Sequence, residues 1–138
     1  MEKGPKFLIT YERYGIMAKT LTEMIKKSNV DFDFIHVIPR GGYPLAVHLS
    51  HFLDLEIKNE LLPSCEKHVL VVDDLIDEGH TLSHFSMHPE LFKIAVLFTK
   101  PWSPFKPDYY IGETENWIVF PWEDPEETPN RKGYKNTF

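Results

Sequence analysis

The stretch that most constrains this chain runs Val69-Leu70-Val71-Val72-Asp73-Asp74-Leu75-Ile76-Asp77-Glu78-Gly79-His80-Thr81-Leu82. Its apolar opening is too short for a helix and reads as a fully buried strand. Asp73 and Asp74 then fall at the strand's carboxyl end, where ligands bind in open α/β sheets. Asp77 follows inside the turn. Gly79 permits a tight turn, and Thr81 offers a hydroxyl at the start of a helix. Backbone N–H groups gathered there make an anion cradle. Adjacent carboxylates can accept from two vicinal sugar hydroxyls or hold the waters of a Mg²⁺. Carboxylates beside an anion cradle ask for a sugar phosphate.

The remaining segments supply a frame for that stretch. Thr10 is placed to cap a helix over Tyr11–Lys27, with Tyr14, Met17, Leu21, Met24 and Ile25 on one apolar face. Lys26 and Lys27 suit the negative end of its dipole. Phe34–Ile38 reads as a buried strand, Pro39-Arg40-Gly41-Gly42 as a sharp loop, and Pro44–Leu53 as a helix. Glu56–Leu62 is expected as a short strand and Pro63–Lys67 as a connection. A short helix over Thr81–Met87 stops at Pro89. Ile94–Phe98 is a further buried strand, Pro101–Pro107 a proline-rich loop, and Trp117–Phe120 another strand-like run. Strands alternating with helices predict an α/β fold, a mostly parallel twisted sheet flanked by helices. A single domain is expected over 1–138, with its core over about 9–123 and a charged surface tail over 124–138.

Composition narrows the partners. A chain of 138 residues with 42% hydrophobic content suits one globular domain. A net charge of −6 argues against a nucleic-acid partner, which favours a basic face. Cys65 is the single cysteine, so no internal disulfide forms, which fits a reducing cytosol. No apolar run approaches the roughly 18 residues of a membrane span, and the N-terminus lacks a signal-peptide core. The expected location is the cytoplasm, with no membrane partner.

The run Val71–Thr81 resembles the phosphoribosyl-pyrophosphate (PRPP) signature of type I phosphoribosyltransferases. It departs at Glu78, where that family usually has Thr, and Glu78 adds negative charge to a phosphate nest. The resemblance implies that Asp73 and Asp74 hold the ribose hydroxyls, with Asp74 also in the metal environment. Asp77 becomes the catalytic acid or base at the purine N7. Glu78, Gly79, His80 and Thr81 surround the 5′-phosphate. Ile38–Gly42 resembles the family's pyrophosphate loop, in which Arg40 and Gly41 take pyrophosphate. Carried over, that loop's non-proline cis peptide joins Arg40 to Gly41.

A third region is similar to the base-binding end of xanthine and hypoxanthine-guanine phosphoribosyltransferases. It comprises Thr99-Lys100-Pro101, Pro107-Asp108-Tyr109-Tyr110 and Trp117 to Glu123. By this resemblance Lys100 donates to the purine 6-oxo group, Trp117 stacks on the base, and the Ile118 backbone meets its edge. Trp122 is read as packing. The implied activity is a purine-salvage reaction: transfer of phosphoribose from PRPP to hypoxanthine, xanthine or guanine, releasing pyrophosphate. Val119 stands where an acid reads a 2-substituent in some xanthine-using relatives, which leans toward hypoxanthine. Mg²⁺ is the implied cofactor, PRPP and a purine base are the partners, and a homodimer or higher homo-oligomer is the implied assembly.

One segment departs from the family pattern. Family enzymes carry a long mobile loop that closes over the site and excludes water. Here only Glu56 to His68 lies between the second helix and the acidic strand. Turnover at an open site, help from a neighbouring subunit, and a regulatory protein that binds nucleotide without efficient turnover are the readings this leaves. A phosphotransfer receiver or acid-nucleophile hydrolase also puts aspartates after a buried strand, but neither carries the Gly79–Thr81 nest. His80, His84 and His88 recur every fourth residue and would bind a transition metal if one helix ran through all three. Satisfied or surface histidines are the favoured reading, and Cys65 is read as an inert thiol.

Overall fold

The computed structural model describes residues 6–59 and 67–126. Along it run β1 (Lys6–Leu8), α1 (Tyr11–Lys27), β2 (Phe32–Val37), α2 (Tyr43–Leu53), β3 (His68–Val72), β4 (Leu75–Ile76), α3 (Ser83–Ser86), β5 (Phe92–Ala95), β6 (Phe98–Thr99), β7 (Gly112–Glu113) and β8 (Trp117–Val119). Among the described residues every strand pairing is parallel. The strand orders are β2–β3–β5 and β4–β6–β7, with β4 following β3 and β6 following β5 along the chain, and β1 pairs with β8. Helices cover both faces, so the α/β architecture read from the sequence is the one present.

The acidic strand is apolar throughout because both its faces are buried. Leu70 and Val72 enter one core with α1 and α2, packing with Leu21, Ile25, Leu45 and Leu49. Val69 and Val71 enter a second core on the opposite face, with Phe85 of α3 and Ile94 of β5. Each such side chain, fully removed from water, stabilises the fold by about 1.5–3 kcal/mol. This anchors β3 at the centre of the sheet and fixes where its carboxyl end emerges.

That strand does not stop at the acids. Val72 pairs with Ala95 before them, and Leu75 pairs with Phe98 after them, in unbroken register. Asp73 N–H donates to the Ala95 carbonyl at 3.2 Å, and Leu97 N–H to the Asp74 carbonyl at 2.9 Å. Asp73 and Asp74 therefore occupy two positions of a nearly continuous ladder.

Several elements differ from expectation. α1 has the predicted bounds, and Thr10 Oγ1 accepts from Arg13 N–H at 3.1 Å. Met24, however, lies on the exposed side, and Ala18 and Thr22 are buried instead. The helix expected over Thr81–Met87 spans only Ser83–Ser86, because Gly79 to Leu82 is taken up in the turn. The strand expected over Ile94–Phe98 splits into β5 and β6, with Val96 N–H turning to the Tyr109 carbonyl at 3.0 Å. The short strand expected over Glu56–Leu62 reduces, in its described part, to one bridge between Ile57 and Ile35. β1 was not anticipated. All three of its residues are exposed, so no burial pattern marks it. Cys65 and residues 127–138 of the tail lie outside the described residues.

Candidate active site

The acid pair is buried and internally satisfied. Asp73 is 1% exposed and Asp74 3%. Asp73 Oδ1 accepts from Asp74 N–H at 2.7 Å, and Asp74 Oδ1 accepts from Leu75 N–H at 2.7 Å. Such bonds lower the cost of burying a carboxylate and hold each side chain in one rotamer.

The Arg40 loop is pressed onto this pair. Ile38 N–H donates to the Val72 carbonyl at 2.9 Å, which ties the loop's start to the end of β3. A Cβ placed on Gly41 would stand 2.3 Å from Asp74 Oδ2, and one on Gly42 would stand 2.6 Å from the Val72 carbonyl oxygen. A side chain at Gly41 would collide with the buried Asp74 carboxylate, and one at Gly42 with backbone carbonyl oxygens. Arg40, next to Gly41 in this loop, is exposed. The cis peptide joins Pro39 to Arg40, one residue before the expected Arg40–Gly41 bond.

Beyond β4 the chain turns through Asp77–Thr81. Gly79 has φ +80°, the left-handed region that glycine enters without strain. Ser83 N–H closes the turn on the Gly79 carbonyl at 2.8 Å. Among the described residues, no carbonyl takes the amide N–H of Gly79, His80 or Thr81. Those donors are what an anion cradle requires. Glu78 is mostly exposed and accepts from His80 Nε2 at 2.9 Å, so its added charge is turned to a partner at the surface. The cradle is a turn and not the end of a full helix, as α3 is a single turn long.

The third region meets the turn from the β6 side. Lys100 N–H donates to the Ile76 carbonyl at 3.1 Å, setting Lys100 beside Asp77. The Lys100 side chain is 7% exposed and donates to the Asn116 carbonyl, next to Trp117. Burial lowers the Lys100 pKa, and the nearby Asp77 carboxylate pulls it partly back. Trp117 is half-buried with the Lys6 ammonium 4.6 Å from its ring centre. Ile118 is buried and paired with Phe7 of β1. Trp122 stacks on Phe120 at 5.0 Å and meets Tyr14 edge-on, as packing predicts.

The structure thus gathers Arg40, Gly41, Asp73 and Asp74 into one group, and Asp77, Lys100 and the Trp117 strand into another, with the Gly79 turn following Asp77. Two neighbours were not foreseen. Trp102 donates its indole N–H to Asp77 Oδ1 at 2.9 Å, and Asn116 offers its carbonyl to Lys100. An aromatic two positions after Lys100 was the available signal for Trp102. The loop's prolines masked it. The three histidines are not brought onto one helix face, because α3 contains only His84. Among the described residues no group of three or more His, Cys, Asp or Glu could hold a metal. The oxygen-only acid pair suits Mg²⁺, which takes one or two carboxylates and completes its shell with water and substrate phosphates. No helix among the described residues is long and apolar enough to cross a membrane.

Known structures share this fold. The purine phosphoribosyltransferase from Pyrococcus horikoshii Ot3 superposes with a TM-score of 0.74 at 32% identity, over 91% of this chain and 99% of that one. The xanthine-guanine-hypoxanthine phosphoribosyltransferase of Helicobacter pylori gives a TM-score of 0.72 at 25% identity, over 85% and 91% of the two chains. The hypoxanthine-guanine phosphoribosyltransferase of Schistosoma mansoni, solved with IMP, gives 0.59 at 21% identity over 81% and 67%, a likeness of fold. No protein-family model matches the sequence.

Proposed function

The chain belongs to the purine phosphoribosyltransferases, and from that premise we propose that it transfers the phosphoribosyl group of PRPP to a 6-oxopurine, releasing pyrophosphate and forming a nucleoside monophosphate. The observation that carries this reading is the contact of the Arg40 loop with the buried acid pair. A Cβ on Gly41 would overlap Asp74 Oδ2, so a pyrophosphate held by Arg40 lies beside the carboxylates that would hold the ribose.

In this reading Asp73 and Asp74 accept from the ribose hydroxyls, and the amides of Gly79, His80 and Thr81 take the 5′-phosphate. Arg40 and the Gly41 amide hold the pyrophosphate. Lys100 donates to the 6-oxo group, and Trp117 supports the base. The purine N9 lone pair forms the new bond to the anomeric carbon as the bond to the pyrophosphate oxygen breaks, its electron pair leaving with pyrophosphate. Asp77 accepts the N7 proton of the base. Mg²⁺ held by Asp74 would supply positive charge for the departing pyrophosphate. Val119, a neutral residue on β8, leans the preference toward hypoxanthine. The chain works in the cytoplasm in this reading.

A second reading, nucleotide binding without efficient turnover, is favoured by one feature. Ile57 joins the sheet edge beside Ile35, so part of the short Glu56–His68 segment is spent on the sheet. Pyrophosphate release separates the two. Release with hypoxanthine, xanthine or guanine supports the enzyme, and tight nucleotide binding with no release from any of them supports the second reading. Asp74→Asn tests the site itself. Mg²⁺-dependent PRPP binding, followed by calorimetry, is expected to be lost, and full retention would count against the assignment.

A further inference from the structure

Trp102 lies in the loop between β6 and β7, outside both apolar cores. It is 45% exposed, so packing does not explain its position. Its contacts are polar and directed. The indole N–H donates to Asp77 Oδ1 at 2.9 Å, and the Lys100 ammonium lies 5.6 Å from the ring centre. One rigid side chain thus engages a carboxylate through its edge and a cation through its face. These two groups are the ones that meet the N7 and 6-oxo positions, adjacent on the purine edge, in the reaction proposed above.

We infer that Trp102 is a positioning residue, which aims the Asp77 carboxylate at the base and keeps Lys100 in line with it. The inference rests on the phosphoribosyl-transfer reading. Asp77 is exposed on a turn, where a short carboxylate side chain samples several rotamers. A charge-assisted hydrogen bond from a planar donor removes that freedom. Asp77 Oδ2 takes no hydrogen bond from the described residues, and it is the oxygen left for the base proton. Lys100 is held separately, its ammonium by the Asn116 carbonyl and its backbone N–H by the Ile76 carbonyl, so the indole bridges Asp77 to a group already fixed in place. Trp102 touches no reacting atom in this arrangement.

The test compares Trp102→Phe and Trp102→His with the unaltered full-length chain, using PRPP, Mg²⁺ and hypoxanthine and reading pyrophosphate release. Phe keeps a ring face for Lys100 and loses the donor; His keeps a ring N–H. Because small misplacements of a reacting group cost up to about 100-fold in rate, kcat for Trp102→Phe is expected to fall by roughly tenfold or more. The KM for PRPP should stay put, and Trp102→His should recover part of kcat. Calorimetric PRPP binding by both variants establishes that the sugar-phosphate site is folded. Unchanged kcat in Trp102→Phe, or equal loss in both variants, overturns the inference while leaving the function standing. An unaltered chain that releases no pyrophosphate from PRPP with hypoxanthine, xanthine or guanine overturns the function first, and the inference with it.

Discussion

His36 on β2 is the side chain whose protonation most directly opposes its surroundings. Its ring lies 5.5 Å from that of Phe85, and its buried Nδ1 has no hydrogen-bond partner among the described residues. Burial lowers its pKa from 6.5, and a backbone hydrogen bond at Lys58 pulls the other way. The unfolded chain therefore binds more protons than the folded one between the lowered value and 6.5. Stability is whole above pH 6.5 and declines as pH falls through the folded value. His48 shifts in the same direction, through burial and the neighbouring His51. Melting temperatures taken on either side of pH 6.5 should drop on the acid side, and His36→Phe should make that drop shallower. An identical acid limb in the variant would assign the effect to other groups. At this scale the sequence disclosed the placing of Asp73 and Asp74 at a strand's end and of Gly79 in the turn after it, because a strand, a turn and charge in a fixed order have few other uses; Lys100 was singled out by the family resemblance alone. It did not disclose Trp102, whose meaning depends on a loop folding back onto Asp77.

Among the elements, the tightest joint is the one between the Arg40 loop and β3. A Cβ on Gly42 would press on two backbone carbonyl oxygens, those of Val72 at 2.6 Å and Ile38 at 2.7 Å. Backbone cannot step aside as a flexible side chain can. Gly42→Ala is expected to cost about 1–3 kcal/mol, the usual range for overpacking, read as a lower melting temperature. A melting temperature equal to that of the unaltered chain would refute the close approach. Elements with strong local signals were legible: α1 from its cap and apolar spacing, and β3 from an apolar run that serves two cores. Elements made by distant pairing were not. β1 is three exposed residues that become a strand only against β8, and β4, β6 and β7 are two residues each, too short for any periodicity.

In the proposed function the site, taken across the whole molecule, divides into a sugar-phosphate half, on β3 and the Arg40 loop, and a base half, on the β6 end and β8. The halves meet at Asp77, so they should be separable by substitution. Lys100→Met removes a buried cation that donates a hydrogen bond, an interaction worth about 1.5–3 kcal/mol. Purine affinity should weaken by roughly tenfold or more while PRPP binding is retained, with both measured by calorimetry. Loss of both together would show that the halves are one unit. The ladder that passes through Asp73 and Asp74 carries a further consequence, which concerns chain length. Val72 is held to Ala95 and Leu75 to Phe98, so the span between them cannot gain or lose a residue without slipping one strand against the other. A single deletion there would send buried Ile76 and half-buried Leu75 to each other's faces. A point substitution of either carboxylate leaves the register intact, whereas an insertion or deletion would rewrite the core. A change of chain length is thus tolerable only in the loops on either side, and the two carboxylates keep a fixed place along the strand.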